Sequence, residues 1–417
     1  MNSLKDKAAI AEKFITAFIK WVIISALIGG TGGAAGLLFH ICVERAAEFR
    51  AENSFTLWLL PIGGIIIAAL YKLSRMQGKG TDHVLESIHT NSIVPASVAP
   101  VIFVSTVLTH LFGGSAGREG AALQLGGSIG SLIGRLFKLD KNDMKIVIMC
   151  GMSALFAALF GTPITAAIFA MEVSSIGIMH YSSFIPCMVA AFTASGISGR
   201  FGAQPVQFIL KTVPDMSVLN MVMAGTLAAL CAVLSIVFCI TMKETGKLLK
   251  RLFKNEYIRI AAGGVFIIIL TLACGTRDYN GAGMDVIKRA IRGQAVAYAF
   301  ILKIIFTAVT IESGYKGGEI VPTFFIGATF GCIAGGILGL NNGFSAAIGM
   351  IAMFCGVVNC PVASLMLAIE VFSGQGVEFF ALACAISYML SGYYGIYSTQ
   401  KIVWSKLNAR VININTR

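Results

Sequence analysis

Residues 113–120 read Gly-Gly-Ser-Ala-Gly-Arg-Glu-Gly and lead directly into the apolar stretch 121–137. Glycines leave backbone amides uncovered. A helix starting just after them presents its unpaired N–H groups and the positive end of its dipole. That combination is a site for an anion. Glu119 stands where this field is most positive, so its own carboxylate can fill the site; once protonated it can swing away and admit an external anion. From these residues alone two plainer readings stay open: a glutamate that only stabilises its own helix, or a fixed partner of Arg118.

The surroundings of this stretch are those of a membrane. Of 417 residues, 56% are apolar and only 12% are Asp, Glu, Lys or Arg, about half the ~25% charge of a soluble protein. Too little charge is present to cover a soluble surface, and too much apolar content for a disordered chain. The class expected is an all-α polytopic membrane protein that is not an enzyme and needs no cofactor. The first apolar run, about 14–38, has no clear cleavage site and should stay in the membrane. The net charge of +12 collects in basic clusters, at Lys5, Lys7, Lys13 and Lys20 and again through 243–259. This is the pattern of cytoplasmic loops, which puts both termini in the cytoplasm and the protein in the cell membrane. No interleaved aromatic and basic platform accompanies the charge, so nucleic acid is not an expected partner. The ten cysteines lie mostly in apolar runs without a CxxC pair, and read as small buried side chains. His83, Glu86 and His89, at helical spacing, read as an interfacial polar face rather than a metal site.

Many of the apolar runs between 14 and 394 are shorter than the ~20 residues of a straight span, and glycine or proline breaks many of them. Interrupted helices are tolerated in a membrane only where protein or an aqueous path satisfies the freed backbone, as in transporters and channels. The breaks also repeat. Gly78-Lys79-Gly80-Thr81-Asp82 is echoed by Gly281-Ala282-Gly283-Met284-Asp285, and Gly117-Arg118-Glu119-Gly120 by Gly318-Glu319-Ile320-Val321. Pro163 with Glu172 is echoed by Pro361 with Glu370. Three landmarks in one order at nearly one offset divide the chain into two homologous membrane halves, 1–245 and 256–417, joined by a basic cytoplasmic linker, 246–255. Paired halves with broken helices place a substrate near the midplane, where corresponding breaks meet.

The second break, 314–322 (GYKGGEIVP), feeds an apolar run as the first does. Its amides, those of Ile320 and Val321 among them, would converge on the same point, with Glu319 as a second buried acid there or as a loop carboxylate paired to Lys316. Lys79 and Gly80 would close the inner end of the path, the lysine drawing in an anion or merely snorkelling. Asp82 or Thr81 would cap the short segment that follows. Glu172 and Glu370 read as hydrogen-bond partners of backbone near helix ends. Tyr397, in Gly395-Ile396-Tyr397-Ser398, has a hydroxyl to donate to an anion.

These motifs resemble those of the CLC family of chloride channels and anion/proton antiporters over nearly the whole chain. Gly117 to Gly120 matches its GREG(P) motif with Ala121 in place of proline, Gly78 to Asp82 aligns with GSGIP, and Gly318 to Pro322 with GxFxP. The segment around Tyr397 is similar to the one bearing the family's anion-coordinating tyrosine. The resemblance implies two inverted-topology repeats of short, broken and tilted helices. It implies a homodimer with one pore per subunit and Glu119 as the gating, proton-coupling residue. Arg118, Gly120, Ile320, Val321, Tyr397, Lys79 and Gly80 would surround the anion. The departures are Lys79 for the central serine, Ile320 for phenylalanine, and Val173 where chloride antiporters carry a second inner glutamate. With Glu319 they resemble the bacterial fluoride/proton antiporter branch, in a form without a C-terminal regulatory domain. The expected function is fluoride export in exchange for protons. The alternatives are a chloride/proton antiporter or passive chloride channel of the same fold and, in another class, a cation-coupled solute symporter.

Overall fold

The computed structural model describes residues 4–78, 80–90 and 92–417. Two sets of eight α-helices follow one another. The first set is α1 (Leu4–Glu52), α2 (Leu60–Leu73), α3 (Thr81–Thr90), α4 (Val98–Phe112), α5 (Glu119–Leu136), α6 (Lys141–Phe160), α7 (Pro163–Glu172) and α8 (Phe184–Arg200). The second is α9 (Val218–Leu252), α10 (Glu256–Cys274), α11 (Met284–Ile291), α12 (Ala299–Ser313), α13 (Ile320–Ile337), α14 (Asn342–Val358), α15 (Pro361–Val371) and α16 (Val377–Leu390). Among the described residues, seven helical segments are long and apolar enough to cross a membrane, and five shorter apolar helices have 10–17 residues. On the outer helices many exposed side chains are apolar, such as Phe14 and Phe18 of α1, Val233 and Val237 of α9, and Phe266 and Ile269 of α10. This face is solvated by lipid.

The supposed linker is corrected by the helices. Residues as far as Leu252 form the last turns of α9, and 253–255 alone connect it to α10, whose N-terminus is capped by Asn255. Lysine and arginine favour helix as well as leucine does, so a basic run does not end one. A segment without helix, 201–217, lies between α8 and α9.

The pseudo-twofold relation is written in hydrogen bonds. Gly117 and Gly318, equivalent residues, exchange both of theirs as an antiparallel pair, with N–O distances of 2.7 and 2.8 Å. Glu172, ending α7, accepts from the N–H groups of Val362 (3.2 Å) and Ala363 (2.9 Å) at the start of α15. Glu370, near the end of α15, accepts from Ile164 N–H (3.0 Å), Thr165 N–H (2.7 Å) and the Thr165 hydroxyl (2.6 Å) at the start of α7. Each glutamate therefore caps the helix of the other repeat. Two helices can do this only when antiparallel, which is the inverted topology. Glu370→Ala leaves two N–H groups and a hydroxyl without their charged acceptor and is expected to cost about 2–3 kcal/mol. Glu370→Gln, which keeps one acceptor, should cost less. Thermal unfolding in detergent reads the difference.

Glycine sets the spacing inside each half. A Cβ on Gly126 of α5 would run into the backbone carbonyl of Gly151 on α6, and the reverse also holds. Gly327 of α13 and Gly349 of α14 repeat the contact in the second half. Backbones this close are the packing that small residues allow in membranes, where van der Waals contact replaces the hydrophobic effect. Where the halves meet, Phe169 packs on Phe354 at 5.9 Å and Phe160 on Phe324 at 6.1 Å between ring centres.

The fold is not helical throughout. After α16 the chain forms β2 (Lys401–Trp404) and β3 (Val411–Asn415), paired antiparallel, and β2 lies parallel to β1 (Ser175–Ile176) beyond α7. This small sheet ties the C-terminal segment to the first half.

Candidate functional site

Glu119 is the first residue of α5, following Arg118 as the N-cap. Its side chain is 2% exposed. The Arg118 N–H donates to Oε2 at 2.9 Å, and the backbone N–H groups of Glu119 and of Val321 lie near enough to favour its charge. Val321 is the second residue of α13, capped by Glu319. The carboxylate thus occupies the point where the N-termini of two helices from opposite halves converge. Those amides are the unpaired groups of a helix start, so a negative charge is what they attract.

The glycines make this approach possible. A Cβ on Gly117 would collide with the Glu119 carboxylate, and one on Gly120 would stand 3.0 Å from the Gly318 Cα and 3.2 Å from Glu319 Oε2. The second acid accordingly lies against the first helix start. Among the described residues, Glu319 Oε2 is buried without a hydrogen-bond partner, and so is the hydroxyl of Tyr397, itself 2% exposed. Tyr397 lies within electrostatic range of both Glu319 and Glu119. Both groups are polar and can bond to an anion or a proton carrier at the converging helix starts.

Of the residues singled out from the sequence, Glu119, Arg118 (through its N–H), Gly120, Val321, Glu319 and Tyr397 come together here. Ile320 is the buried first residue of α13. Gly80 precedes Thr81, whose hydroxyl donates to the Gly120 carbonyl at 3.3 Å, so the inner loop abuts the same helix start. Lys79 lies outside the described residues. The side chain of Arg118 points away from the amides: Nη1 meets His40 Nδ1 at 2.5 Å, and Nε stays 3.8 Å from Glu119 Oε1. The imidazole's other nitrogen is 3.4 Å from Glu44, whose side chain is 58% exposed.

Several supporting residues were not legible in advance. Asp82 does not cap α3. Its carboxylate accepts from Ser398 Oγ at 2.5 Å and Thr399 Oγ1 at 3.1 Å, clamping the segment that carries Tyr397. Thr81 binds across to α5 instead of capping. Gln400 donates to the carbonyls of Val173 (2.9 Å) and Val358 (2.8 Å), fixing the same segment from the other side. His110 Nε2 meets the Gly117 carbonyl at 3.2 Å, and the Ser115 N–H donates to Thr310 Oγ1 at 3.0 Å. Lys303, wholly buried on α12, holds the carbonyls of Tyr279 (3.1 Å) and Gly281 (2.7 Å). The signal available was a lysine inside an apolar run, which only a buried set of acceptors explains.

Residues 63–392 match the family model described as voltage gated chloride channel, Voltage_CLC. The chain belongs to the CLC family. Among its CLC relatives, a chloride/fluoride channel protein of Pseudomonas syringae pv. tomato is 34% identical over 398 residues, spanning 93% of this chain and 87% of that one. The crystal structure of a CLC-type fluoride/proton antiporter superposes with a TM-score of 0.88 at 30% identity, covering 96% of this chain and 99% of the other. A slow cyanobacterial Cl−/H+ antiporter shares the CLC fold at TM-score 0.76 and 19% identity, over 89% and 94% of the two chains. The protein is an integral membrane protein of the CLC fold, as its motifs imply.

Proposed function

We propose that this CLC protein exchanges fluoride for protons, exporting fluoride from the cell. The observation that carries this reading is the Glu119 carboxylate seated on amides of both halves, with Glu319 and the Tyr397 hydroxyl open beside it. A carboxylate held as an internal anion is displaced by protonation. The neutral acid no longer competes for the amides, and an external anion takes its place while the proton moves the other way. Fluoride holds water tightly, so its site must replace hydration with several strong donors. The Ile320 and Val321 amides and the Tyr397 hydroxyl are such donors. Glu319 adds a condition. Its carboxylate repels a neighbouring anion, whereas its neutral acid offers an O–H, so anion and proton favour each other's presence. The likeness to a fluoride/proton antiporter at 30% identity supports the same reading.

Lys7, Lys13 and Lys20 near the start and the basic run 243–259 support placing both termini in the cytoplasm of a cell-membrane protein. Exposed apolar side chains on α8 and on α15 and α16, such as Phe192, Val362 and Met389, suit a second copy of the chain as a homodimer partner.

Purified protein in liposomes tests the function, with fluoride, chloride and pH electrodes in one chamber. Fluoride efflux at least about tenfold faster than chloride efflux is expected, with proton uptake abolished by a protonophore. Donor number and geometry are the basis of that ratio. Chloride flux equal to or above fluoride flux overturns it.

A further inference from the structure

An antiporter must also pass protons to its inner side, and the position that would carry an inner acid holds Val173, fully buried and apolar. Glu172 beside it is committed to the α15 cap. Another acid stands elsewhere. Glu312 is the penultimate residue of α12, just before the second break. It lines a cavity of about 260 Å³ among the ends of α2, α9, α10 and α12. Its carboxylate packs against Gly246 of α9, where any side chain would collide with it. Among the described residues it accepts no hydrogen bond and forms no ion pair within 4 Å, in contrast to Glu119, Glu172 and Glu370. Its surroundings are charged from every side: Lys250 of α9, Glu256 and Arg259 of α10, Lys316 of the break and Asp82 of α3.

The break joins this cavity to the anion site. Lys316 lines the cavity, its ammonium 4.4 Å from the ring centre of Tyr71 on the opposite wall. Glu319 follows three residues later, and the charges of Glu312, Lys316 and Glu319 are within interaction range of one another. Glu319 does not itself line the cavity; its Oε2 is buried at the far end of the break, against the start of α5. A cavity of this size and polarity has room for several water molecules. It opens at the end of the molecule that carries the basic run 243–259, the cytoplasmic end in the reading above.

We propose that this cavity is the inner proton route, with Glu312 as the carboxylate that exchanges protons between cytoplasmic water and Glu319. The proposal rests on the proton-coupled reading of the anion site. In one direction a hydronium ion gives its proton to a Glu312 oxygen and leaves as water. The resulting acid passes its proton by way of cavity water and the break to the Glu319 carboxylate, which becomes the acid, and Glu312 is again a carboxylate. The route does not use the α7 position at all, so Val173 is no obstacle to coupling.

The test measures proton uptake driven by a fluoride gradient in liposomes, at several internal pH values. Glu312→Gln, nearly isosteric, is expected to slow proton uptake at least tenfold and to flatten its dependence on internal pH. Glu312→Asp should restore the rate to within about threefold of wild type. Ala68→Phe, which fills the cavity from α2 without touching an acid, should slow protons similarly. Fluoride should still raise the unfolding temperature of all three variants, showing that fold and anion site are intact. Glu312→Gln within twofold of wild type, or an aspartate variant as slow as the glutamine one, overturns the proposal. If wild-type protein itself moves no protons with fluoride, the function reading fails and this inference with it. If wild type couples and Glu312→Gln couples equally well, only the inference fails.

Discussion

Replacing Glu119 by glutamine lowers proton uptake driven by a fluoride gradient by about 100-fold or more, the loss expected when a positioned proton-transfer group is removed. Glutamine preserves the shape of the side chain, so the helix starts and the Gly117–Gly318 pair stay in place. What it lacks is a charge that titrates. An uncharged amide no longer competes with an external anion for the N–H groups of Glu119 and Val321, so fluoride should bind more tightly to the variant than to wild type. Calorimetric titration with fluoride reads the second effect and the liposome assay the first. The two move in opposite directions, which separates loss of gating from loss of fold. Proton coupling that survives the substitution removes Glu119 from the mechanism.

Gly349→Val should destabilise the protein by about 3 kcal/mol or more, at the upper end of what overpacking costs, and cut the yield of monodisperse protein. The added Cβ would meet the backbone carbonyl of Gly327. A flexible side chain could turn aside, but two helix backbones can only part. Parting α13 from α14 would also move Ile320 and Val321, at the start of α13, away from the site. The control is Gly196→Ala in α8, where nothing stands within 4 Å of the new methyl. That change is expected to be neutral or to stabilise by up to about 1 kcal/mol, since alanine favours helix over glycine. Unfolding temperatures in one detergent compare the two, and similar losses at both positions would overturn the close-packing account.

Much of the site was legible because its components are backbone amides announced by glycine. The breaks at 113–120 and 314–322, and the acids within them, could be found from spacing alone, and the repeat showed that they correspond. The role of Glu172 and Glu370 as helix-end partners was also legible, but not that each serves the helix of the opposite repeat. Charge was a poorer guide. The basic run 246–255 suggested a linker and is mostly helix, because Lys and Arg carry no signal that stops one. Asp82 looked like a local cap and instead clamps Ser398 and Thr399, more than 300 residues away in sequence. Gln400 holds the Val173 carbonyl 227 residues away in sequence, and Lys303 the Gly281 carbonyl 22 residues back. Nothing in local spacing can reveal such pairs.

By itself, then, the sequence determined a membrane protein of two related halves and named the acids set in their glycine-rich breaks. Composition, hydropathy and internal repetition are properties of a chain read in one dimension. That α7 and α15 run antiparallel, that Glu119 rests on an amide of the other half, and that Glu312 lines a cavity with Lys316 of the second break was decided only by the tertiary structure. The physical reason is common to all three. The first two depend on a buried polar group finding its partner across the packed interface of the halves and the third on which helix ends enclose a cavity, and all of these are chosen by where helices end in space.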